Sequence, residues 1–580
     1  MAHEKFYLVK NGKSVCRFVY SEYPYPFDVY KDVTPPEPVK NISSRLFIYL
    51  NKTLLSGIYN TTGAWPSLIP EDRAGEFCGN KVYVGRCFTT DLSGLGDANA
   101  YQYAIVHSGN TVTTLAHTYG GYYAAAEKIH ACVRYSEDQK DAWLAEEVFG
   151  IFDHDLPPLR HAFPKFTVSF YGSPYNRASL EDEKTFRGIV EFGTDEVPLH
   201  ANWHDADAVA GLRTLIKRFY AEGITTRLYG AAHPGDCDPL EHPERAEEYE
   251  NEIRGLVETF GDLEGISQWG YWDEPEAWHF NLCSFARTCF RRYDPKKRPV
   301  YINLGPRAHS FGVQTFYSEF SRLVHPDYYC FDRYPFFMTE KGAEMTDLYF
   351  YSNFELQRAF AIDDGVDHGA ILAAIKVGAD PARADITPHF MRWQTHLLAA
   401  YGCRYIEYYV YYYAHEYSIL DKNNDPTWRW ELCRETTEYL KAVFSLLDDH
   451  RLDAVFHLPK PDGTYDLDVI PYYGWRGIGE VTGYDAILSF YDAGILVVTD
   501  KHADPFDGGE HEILLTGFAG TEWFDPEKRE FVPIGDCPAA EKTAEGLKIH
   551  LTLASQYIFR QTDYLGEINI KETLEKTGTN

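Results

Sequence analysis

Apolar residues in the middle of the chain follow two patterns that alternate. Short apolar runs are each followed by a longer segment in which apolar residues recur at helical spacing. The runs predict eight strands, at 166–173, 197–204, 224–231, 266–274, 299–305, 327–335, 369–377 and 403–412. One helical segment runs from Asp207 to Ala221, and another carries Trp278 and Leu282. Eight strands that each precede a helix predict a (β/α)8 barrel over residues 161–445, which is an α/β fold.

Residues 1–160, before the predicted barrel, alternate short strands with turns. Residues 81–85 form one predicted strand, and 101–107 with 111–116 form a predicted hairpin around a Ser-Gly-Asn turn. A glycine pair then opens a predicted helix over about 120–133. This order predicts an N-terminal accessory α/β domain.

The helical pattern stops near residue 446. Short apolar runs alternate there with turns rich in Gly, Asp and Pro, for example at 494–499, 512–516 and 547–552. Strands of this length and spacing are typical of a β-sandwich. We therefore predict a C-terminal β-sandwich over residues 446–580.

The net charge indicates which classes of molecule the protein is not expected to bind. The chain has 55 Lys and Arg against 86 Asp and Glu, a formal charge of -31. Such a surface repels nucleic acids and anionic membranes, so neither is expected as a partner. Aromatic residues make up 16% of the chain, with 44 Tyr and 11 Trp, and such rings pack in cores or stack against sugars. The sequence is also compatible with a homo-oligomer.

Targeting and cofactor signals are weak along the chain. The first residues lack the apolar core of a secretory signal, and no run of 18 apolar residues could span a membrane. The 11 cysteines are scattered and show no metal-binding spacing. These features predict a cytoplasmic protein, or a secreted one if a signal peptide has been trimmed, with no metal or organic cofactor.

The segment Trp272-Asp273-Glu274-Pro275 ends the fourth predicted strand and carries the candidate chemistry. Breaking a glycosidic bond needs a proton donor and a group that stabilises positive charge, usually two carboxyl groups. Adjacent acids beside aromatic rings can differ in protonation. The alternative is a helix cap with Pro275 in the first turn. Because this fold places its chemistry at the carboxyl ends of strands, we favour catalysis, with Glu274 as the acid.

The segment 248–276 resembles barrel glycosidases: an acidic helix, a strand that ends in Asp-Glu-Pro, then an amphipathic helix. The N-terminal hairpin, glycine pair and helix resemble the accessory domain of β-N-acetylhexosaminidases and α-glucuronidases. An Asp-Glu pair at the end of the fourth strand is similar to the hexosaminidases in particular. The strand lacks the His-x-Gly-Gly lead-in of the best-known family, so another sugar specificity stays an alternative.

The resemblance implies roles for individual residues. Glu274 would be the general acid/base, and Asp273 would orient the 2-acetamido group of the substrate, whose oxygen attacks the anomeric carbon. Tyr334 or Tyr409 would donate a hydrogen bond to that oxygen. Arg177 would bind hydroxyls at the non-reducing end.

The residues alone leave open which group works with Glu274 in catalysis. Asp332, at the end of the sixth strand, is the first candidate, and Glu407, in the eighth strand, is the second. The seventh strand offers Lys376 and no carboxylate, which favours Asp332 or assistance from the substrate. Alternatively, Asp332 pairs with Arg333 and Glu407 lies in a buried barrel layer. Lys376 also permits Schiff-base chemistry, as in lyases and aldolases.

The remaining candidates for substrate contact lie near strand ends. Trp203, Tyr229 and Trp272 are candidate stacking surfaces for sugar rings. His204 and His233 are candidates for hydroxyl contacts, because they show no metal-ligand spacing. Lys376 and Glu407 complete the set of candidate substrate-binding residues.

Together these features predict an exo-acting glycoside hydrolase of oligosaccharides. The leading hypothesis is a substrate-assisted, hexosaminidase-like enzyme that uses Glu274 and Asp273. The first alternative is a retaining or inverting glycosidase of other specificity, for example α-glucuronidase-like, that uses Glu274 with Asp332. The second is a non-catalytic carbohydrate-binding protein, because a fold does not guarantee activity.

Overall fold

The structure is a computed structural model of the 580-residue chain. It describes residues 5–23, 39–41, 44–87, 90–176, 180–231, 242–305, 313–340, 342–345, 350–376, 382–413, 418–466, 469–502, 509–518 and 520–561. Two candidate site residues, Arg177 and His233, lie outside the described residues.

The N-terminal part of the described chain combines two sheets with helices. Its strands are β1 (Phe6–Lys10), β2 (Lys13–Ser14), β3 (Cys16–Tyr23), β4 (Val39–Asn41), β5 (Leu68–Pro70), β6 (Asn80–Tyr83), β7 (Gln102–Ser108), β8 (Thr111–Ala116), β9 (Val133–Tyr135), β10 (Ala142–Leu144) and β11 (Gly150–Asp153). Its helices are α1 (Ser44–Tyr49), α2 (Ser56–Thr62) and α3 (Tyr119–Ala131). The sheet orders are β2-β1-β10-β9 and β11-β7-β8-β6-β3-β4, with β5 beside β3. The hairpin β7–β8 and the helix α3 lie where the sequence pattern predicts them.

Parallel strands in the middle of the chain form a nearly closed barrel. The strands of this part are β12 (Thr167–Phe170), β13 (Glu196–His200), β14 (Thr225–Tyr229), β15 (Ile266–Asp273), β16 (Val300–Leu304), β17 (Tyr328–Asp332), β18 (Phe336–Thr339), β19 (Gly342–Met345), β20 (Asp367–Ala373) and β21 (Tyr405–Tyr409). The barrel sheet has the order β12-β21-β20-β17-β16-β15-β14-β13, and β18 and β19 form a separate hairpin. Each predicted barrel strand is therefore confirmed. The two ends of the sheet meet where the Asp195 N–H donates to the carbonyl of Val168 (2.8 Å).

Helices follow the barrel strands. They are α4 (Glu183–Phe192), α5 (Ala206–Ala221), α6 (Pro243–Phe260), α7 (Phe280–Tyr293), α8 (Val313–Val324), α9 (Phe350–Asp364), α10 (Pro388–Tyr401) and α11 (Trp428–Leu447). The sequence signals their ends: the Asp205 carboxylate accepts hydrogen bonds from the first turn of α5, and Thr387 caps α10, which has Pro388 in its first turn. Gly402 closes α10 in the left-handed conformation, with φ of 69°.

The helix predicted to carry Trp278 starts later than the pattern indicated. The Glu276 N–H donates to Nδ1 of His279 (2.9 Å), and the Glu276 side chain caps the same short 3-10 turn in return. Because this capping box closes a separate turn, α7 begins at Phe280. Trp278 lies in the turn and is 58% exposed. Trp278 therefore precedes this helix, whereas the helical spacing predicted that the helix carries it.

The interior of the barrel contains a buried polar layer. The guanidinium of Arg227 donates to both carboxylate oxygens of Glu407, with Nη2 to Oε2 at 2.8 Å, and both side chains are 0% exposed. The Tyr405 hydroxyl accepts a hydrogen bond from Nη1 of Arg227 (2.6 Å). At the amino end of the barrel, the ring of Phe163 stacks on Tyr405 with centroids 4.7 Å apart. The barrel is thus filled below its carboxyl end, and the open rim lies above this layer.

The C-terminal part of the described chain forms two antiparallel sheets. Its strands are β22 (Leu452–His457), β23 (Val481–Thr482), β24 (Ala486–Tyr491), β25 (Ile495–Asp500), β26 (His511–Thr516), β27 (Glu522–Asp525), β28 (Glu530–Pro533), β29 (Ala540–Lys542), β30 (Gly546–Leu551) and β31 (Gln556–Arg560). The sheet orders are β22-β24-β25-β31-β27-β28 and β23-β26-β30-β29. Apolar side chains of both sheets, among them Leu488 and Ile549, form one buried cluster. Within the described ranges, the structure contains no helix of the length and apolar character that a membrane crossing requires.

Candidate active site

Three acidic residues meet at the carboxyl end of the barrel sheet. Asp273 is the last residue of β15, Glu274 follows it, and Asp332 is the last residue of β17. We call these three residues the acid cluster. The strand between them, β16, contributes Asn303, which is fully buried. The alternating strands and helices therefore bring together acids that are far apart in the sequence.

The backbone around Glu274 departs from a regular strand. The register between β15 and β16 shifts between Gly270 and Trp272, which marks a bulge, and bulges change the direction of the side chains that follow. Glu274 itself has φ of 50°, a left-handed conformation that is uncommon for a residue with a side chain. Its N–H donates to the carbonyl of Asn303 (2.9 Å), and this bond fixes the turn.

Asn303 connects the acid cluster through its side chain. Its Nδ2 donates to Oδ1 of Asp273 (2.9 Å) and to Oδ1 of Asp332 (3.1 Å). The hydroxyl of Tyr171, just after β12, donates to the other oxygen of Asp273 (2.6 Å). Both oxygens of Asp273 therefore accept a hydrogen bond, and these two bonds fix the orientation of the carboxyl group.

Asp332 is the buried member of the acid cluster, with only 6% of its surface exposed. Burial, followed by the charges of Glu274 and Asp273, raises its pKa well above the ordinary range. A side-chain hydrogen bond to Glu274 acts in the same direction, whereas the bond from Asn303 opposes it. Asp332 thus keeps its proton to higher pH than an ordinary carboxyl group does, next to Glu274. Since Glu274 is half-buried and Asp273 is exposed, these two are the acids that a substrate can reach.

Tyrosine side chains surround the acid cluster. The ring of Tyr409, at the end of β21, lies 5.3 Å from the ring of Tyr171 and 5.2 Å from that of Tyr334. Burial, together with the neighbouring acids, raises the pKa of each of the three hydroxyls above the ordinary value. The hydroxyls therefore stay protonated and can donate hydrogen bonds to a ligand, and their rings offer flat surfaces for sugars.

Two glycines make room for residues at this rim. A Cβ atom on Gly270 would lie 2.4 Å from the ring of Tyr229, whose other face stacks on His200 with centroids 4.8 Å apart. A Cβ atom on Gly305 would lie 3.0 Å from Cβ and Cγ of Glu274. Tyr229 and Glu274 can occupy these positions because Gly270 and Gly305 have no side chains.

Other predicted contact residues lie away from the acid cluster. Trp272 is 5% exposed, and its ring packs 4.5 Å from the ring of His279. Trp203 packs against Gly255 in α6, where a Cβ atom would lie 2.3 Å from its ring. His204 is exposed at the same helix and lies 3.2 Å from the carboxylate of Glu252. The structure therefore does not bring these three candidates to the acids.

The remaining candidates have different surroundings. Glu407 lies in the barrel interior, ion-paired with Arg227 as described above. Lys376 lies in the connection after β20, at the edge of the described residues. Across the described ranges, no group of three or more His, Cys, Asp or Glu side chains has the geometry of a metal site.

Asn303 and Tyr171 are the site residues that sequence reasoning missed. Both stand near the carboxyl ends of predicted strands, at 299–305 and 166–173. The rule that a barrel places its chemistry at those ends could have found them. An amide or hydroxyl donor is a weaker chemical signal than a pair of acids, so the search for carboxylates passed over both.

Comparisons with known proteins give similarities of fold. No protein-family model matches the chain, and no curated protein sequence matches it. Among solved structures, it is similar to a β-galactosidase from the psychrophilic Marinomonas ef1, with 9% identity and a TM-score of 0.37 over 49% of this chain and 60% of that one. An endo-β-1,4-mannanase from Thermotoga petrophila has 12% identity and a TM-score of 0.36, over 61% of this chain and 94% of that one.

A glucosidase from Croceicoccus marinus is similar at the same level, with 11% identity and a TM-score of 0.36 over 70% of this chain and 83% of that one. The chain thus spans 60% of the length of the β-galactosidase and more of the other two. Similarity at this level concerns the course of the chain, so the chemistry has to be inferred from the side chains of the site.

Proposed function

We propose that the protein is an exo-acting glycoside hydrolase in which Glu274 is the general acid/base. The acid cluster carries the proposal: three carboxyl groups at the carboxyl end of a (β/α)8 barrel, one of them, Asp332, with a pKa raised well above the ordinary range and within hydrogen-bond reach of Glu274. Glycoside hydrolysis needs an acid for the leaving oxygen and a carboxylate for the developing positive charge. Glu274 provides the first and Asp273 the second.

The spacing of the acids supports assistance by the substrate. The side chains of Asp332 and Glu274 are close enough for a hydrogen bond between their carboxyl groups. Two-carboxylate enzymes separate their groups by ~5–5.5 Å or ~6.5–9.5 Å, which leaves room for the sugar or a water. A nucleophile from the substrate removes the need for that spacing, and a 2-acetamido oxygen is the group that the hexosaminidase resemblance implies.

The proposed reaction uses the protein groups as follows. Glu274 protonates the glycosidic oxygen while the acetamido oxygen forms a bond to the anomeric carbon, and the bond to the leaving group breaks. Asp273 accepts a hydrogen bond from the acetamido N–H and stabilises the positive charge of the cyclic intermediate. Glu274, now ionised, takes a proton from a water that attacks the anomeric carbon. The bond between this carbon and the acetamido oxygen breaks, which opens the cyclic intermediate. In this proposal, Tyr334 or Tyr409 donates a hydrogen bond to the acetamido oxygen.

A panel of chromogenic glycosides tests the proposal. The panel includes 2-acetamido sugars and the corresponding sugars with a free 2-hydroxyl. We expect Glu274→Gln to lower kcat/KM at least about 100-fold, because it removes the general acid. Glu264→Gln is the matched control: Glu264 lies before the amino end of the same strand, exposed and paired with Lys296. Full activity of folded Glu274→Gln would contradict the proposal.

The same panel separates the two glycosidase mechanisms. With substrate assistance, Asp273→Asn lowers kcat more than Asp332→Asn does, and only 2-acetamido sugars are cleaved. With an ordinary pair of carboxylates, Asp332→Asn is the more damaging change and sugars without the acetamido group are cleaved. Binding of sugars without turnover of any glycoside would favour a carbohydrate-binding protein instead.

A further inference from the structure

We propose that Asn303 is a positioning residue that orients the acid cluster and sets how firmly it holds the proton that Glu274 delivers. The inference rests on the proposed function, since it assigns a role in the same site. Asn303 is fully buried behind the acids, so it acts on a substrate only through its neighbours.

The side-chain amide has one orientation that fits its surroundings. Its Nδ2 carries two N–H groups, and these donate to Asp273 (2.9 Å) and Asp332 (3.1 Å). Its Oδ1 is buried and has no hydrogen-bond partner in the described structure. A reversed amide would place this oxygen against two carboxyl groups and remove one donor from each of them. The amide is therefore held as a double donor towards the acids.

Asn303 also determines where Glu274 lies. Its backbone carbonyl accepts the Glu274 N–H (2.9 Å), at the residue with φ of 50°. One residue thus contacts each member of the acid cluster, through two side-chain bonds and one backbone bond. Loss of the side chain alone leaves the backbone bond in place, so its effect on the acids can be measured separately.

The acid cluster consists of Asp273 and Glu274, on and after β15, and Asp332 on β17. Tyrosines face it from neighbouring elements: Tyr334 after β17, Tyr171 after β12, Tyr229 on β14 and Tyr409 on β21. The ion pair of Arg227 and Glu407 lies in the layer below. The tyrosines stay neutral at physiological pH, since burial raises their pKa values. Protonation changes near neutral pH therefore belong to the acids.

A hydrogen bond donated to a carboxyl group favours its ionised form. Asp273 receives two such bonds, from Tyr171 and Asn303, whereas Asp332 receives one and is buried. Loss of the Asn303 side chain therefore leaves Asp273 with one donor and Asp332 with none. The single donor at Asp332 limits how firmly the pair of Asp332 and Glu274 retains its proton, so that Glu274 can release one to a substrate.

The experiment is the pH profile of kcat/KM for Asn303→Leu and Tyr171→Phe. Leu is close to Asn in size and has no donor, so the alkaline limb of the profile should move to higher pH by about one unit. It moves because the Asp332–Glu274 pair keeps its proton longer once Asp332 has lost its donor. Tyr171→Phe removes a donor from Asp273 alone, so it is the matched control, and its alkaline limb should stay where it is in the wild type. Asn303→Asp, which has the same shape but no amide N–H, should shift the alkaline limb in the same direction as Asn303→Leu.

A lower kcat/KM with the alkaline limb unmoved in folded Asn303 variants would overturn the proposal, because a purely structural role predicts that result. A second readout needs no turnover. Infrared difference spectroscopy follows the C=O band of the protonated carboxyl group, identified by its loss in Asp332→Asn. We expect this band to titrate at higher pH in Asn303→Leu than in the wild type. An unshifted band contradicts the role of Asn303, whereas a shifted band in a protein that cleaves no glycoside supports that role and rejects only the proposed function.

Discussion

Asp332 differs from the other two acids in its access to solvent. It is almost fully buried, whereas Asp273 is exposed and Glu274 is half-buried. A buried carboxyl beside two others is the member of the group that is hardest to ionise. Its proton is therefore held close to Glu274, although Asp332 itself cannot reach a sugar. Under the proposed function, the group that stores the proton, Asp332, is therefore separate from the group that delivers it, Glu274.

The alkaline limb of the activity profile should report this arrangement. Asp332→Asn removes a neighbouring acid that shares the proton with Glu274, so the remaining acid loses its proton at lower pH. We expect the alkaline limb of kcat/KM to move down by about one pH unit or more. The measurement is the pH profile of the residual activity of the variant. A limb that stays where it is in the wild type would show that the two carboxyl groups titrate independently.

Single residues show how much of the candidate site can be predicted from the sequence. Asp273, Glu274 and Asp332 follow from one rule, because strand ends in a barrel share one rim. Asn303 and Tyr171 obey the same rule, but only the folded chain shows that their donors point at the acids. Trp272 lies in the same predicted strand as Asp273, yet it packs against His279. A bulge in β15 redirects this segment, and a bulge has no clear signature in the sequence.

At the scale of elements, two features determine where Glu274 lies. They are the pairing of β15 with β16 and the space beside Gly305. A Cβ atom there would lie 3.0 Å from Cγ and 3.1 Å from Cδ of Glu274, closer than ordinary contact. The Glu274 side chain would have to move by a few tenths of an ångström. Because catalysis depends on such distances, a small movement of the acid costs activity even when the fold is intact.

We therefore expect Gly305→Ala to lower kcat about tenfold while the midpoint of thermal unfolding changes little. Gly188→Ala is the control, because the added Cβ in α4 would be 3.8 Å from the nearest atom, the hydroxyl oxygen of Tyr411. That change should leave kcat unaffected. An equal kcat for wild type and Gly305→Ala would mean that Glu274 has more freedom than the packing indicates.

At the level of elements, hydrophobic periodicity alone predicts the barrel strands, because buried strands and amphipathic helices differ in length and pattern. The predicted hairpin of β7 and β8 follows from its turn residues in the same way. The start of α7 is different: the capping box of Glu276 and His279 closes a separate turn just before it. Local hydrogen bonds, which periodicity does not report, decide such boundaries.

At the scale of the whole molecule, the rim rests on a buried charged layer. Arg227 and Glu407 are 0% exposed, and the guanidinium also lies 4.0 Å from the centroid of the Tyr301 ring. Tyr229, two residues after Arg227, lies at the rim above this layer. A charge left without its partner in the barrel interior would be costly, because water cannot solvate it there. The pair therefore ties the stability of the barrel to the integrity of the site above it.

The last prediction concerns this pair. Glu407→Met leaves Arg227 without its partner and should destabilise the barrel by about 3–5 kcal/mol. The double variant Arg227→Met with Glu407→Met removes both charges and should recover a large part of that loss. A chain with several folded parts does not unfold in one step, so the comparison uses the midpoint of the barrel transition in thermal unfolding. A double variant no more stable than Glu407→Met would indicate that the layer depends on hydrogen bonds such as those of Tyr405 more than on charge pairing.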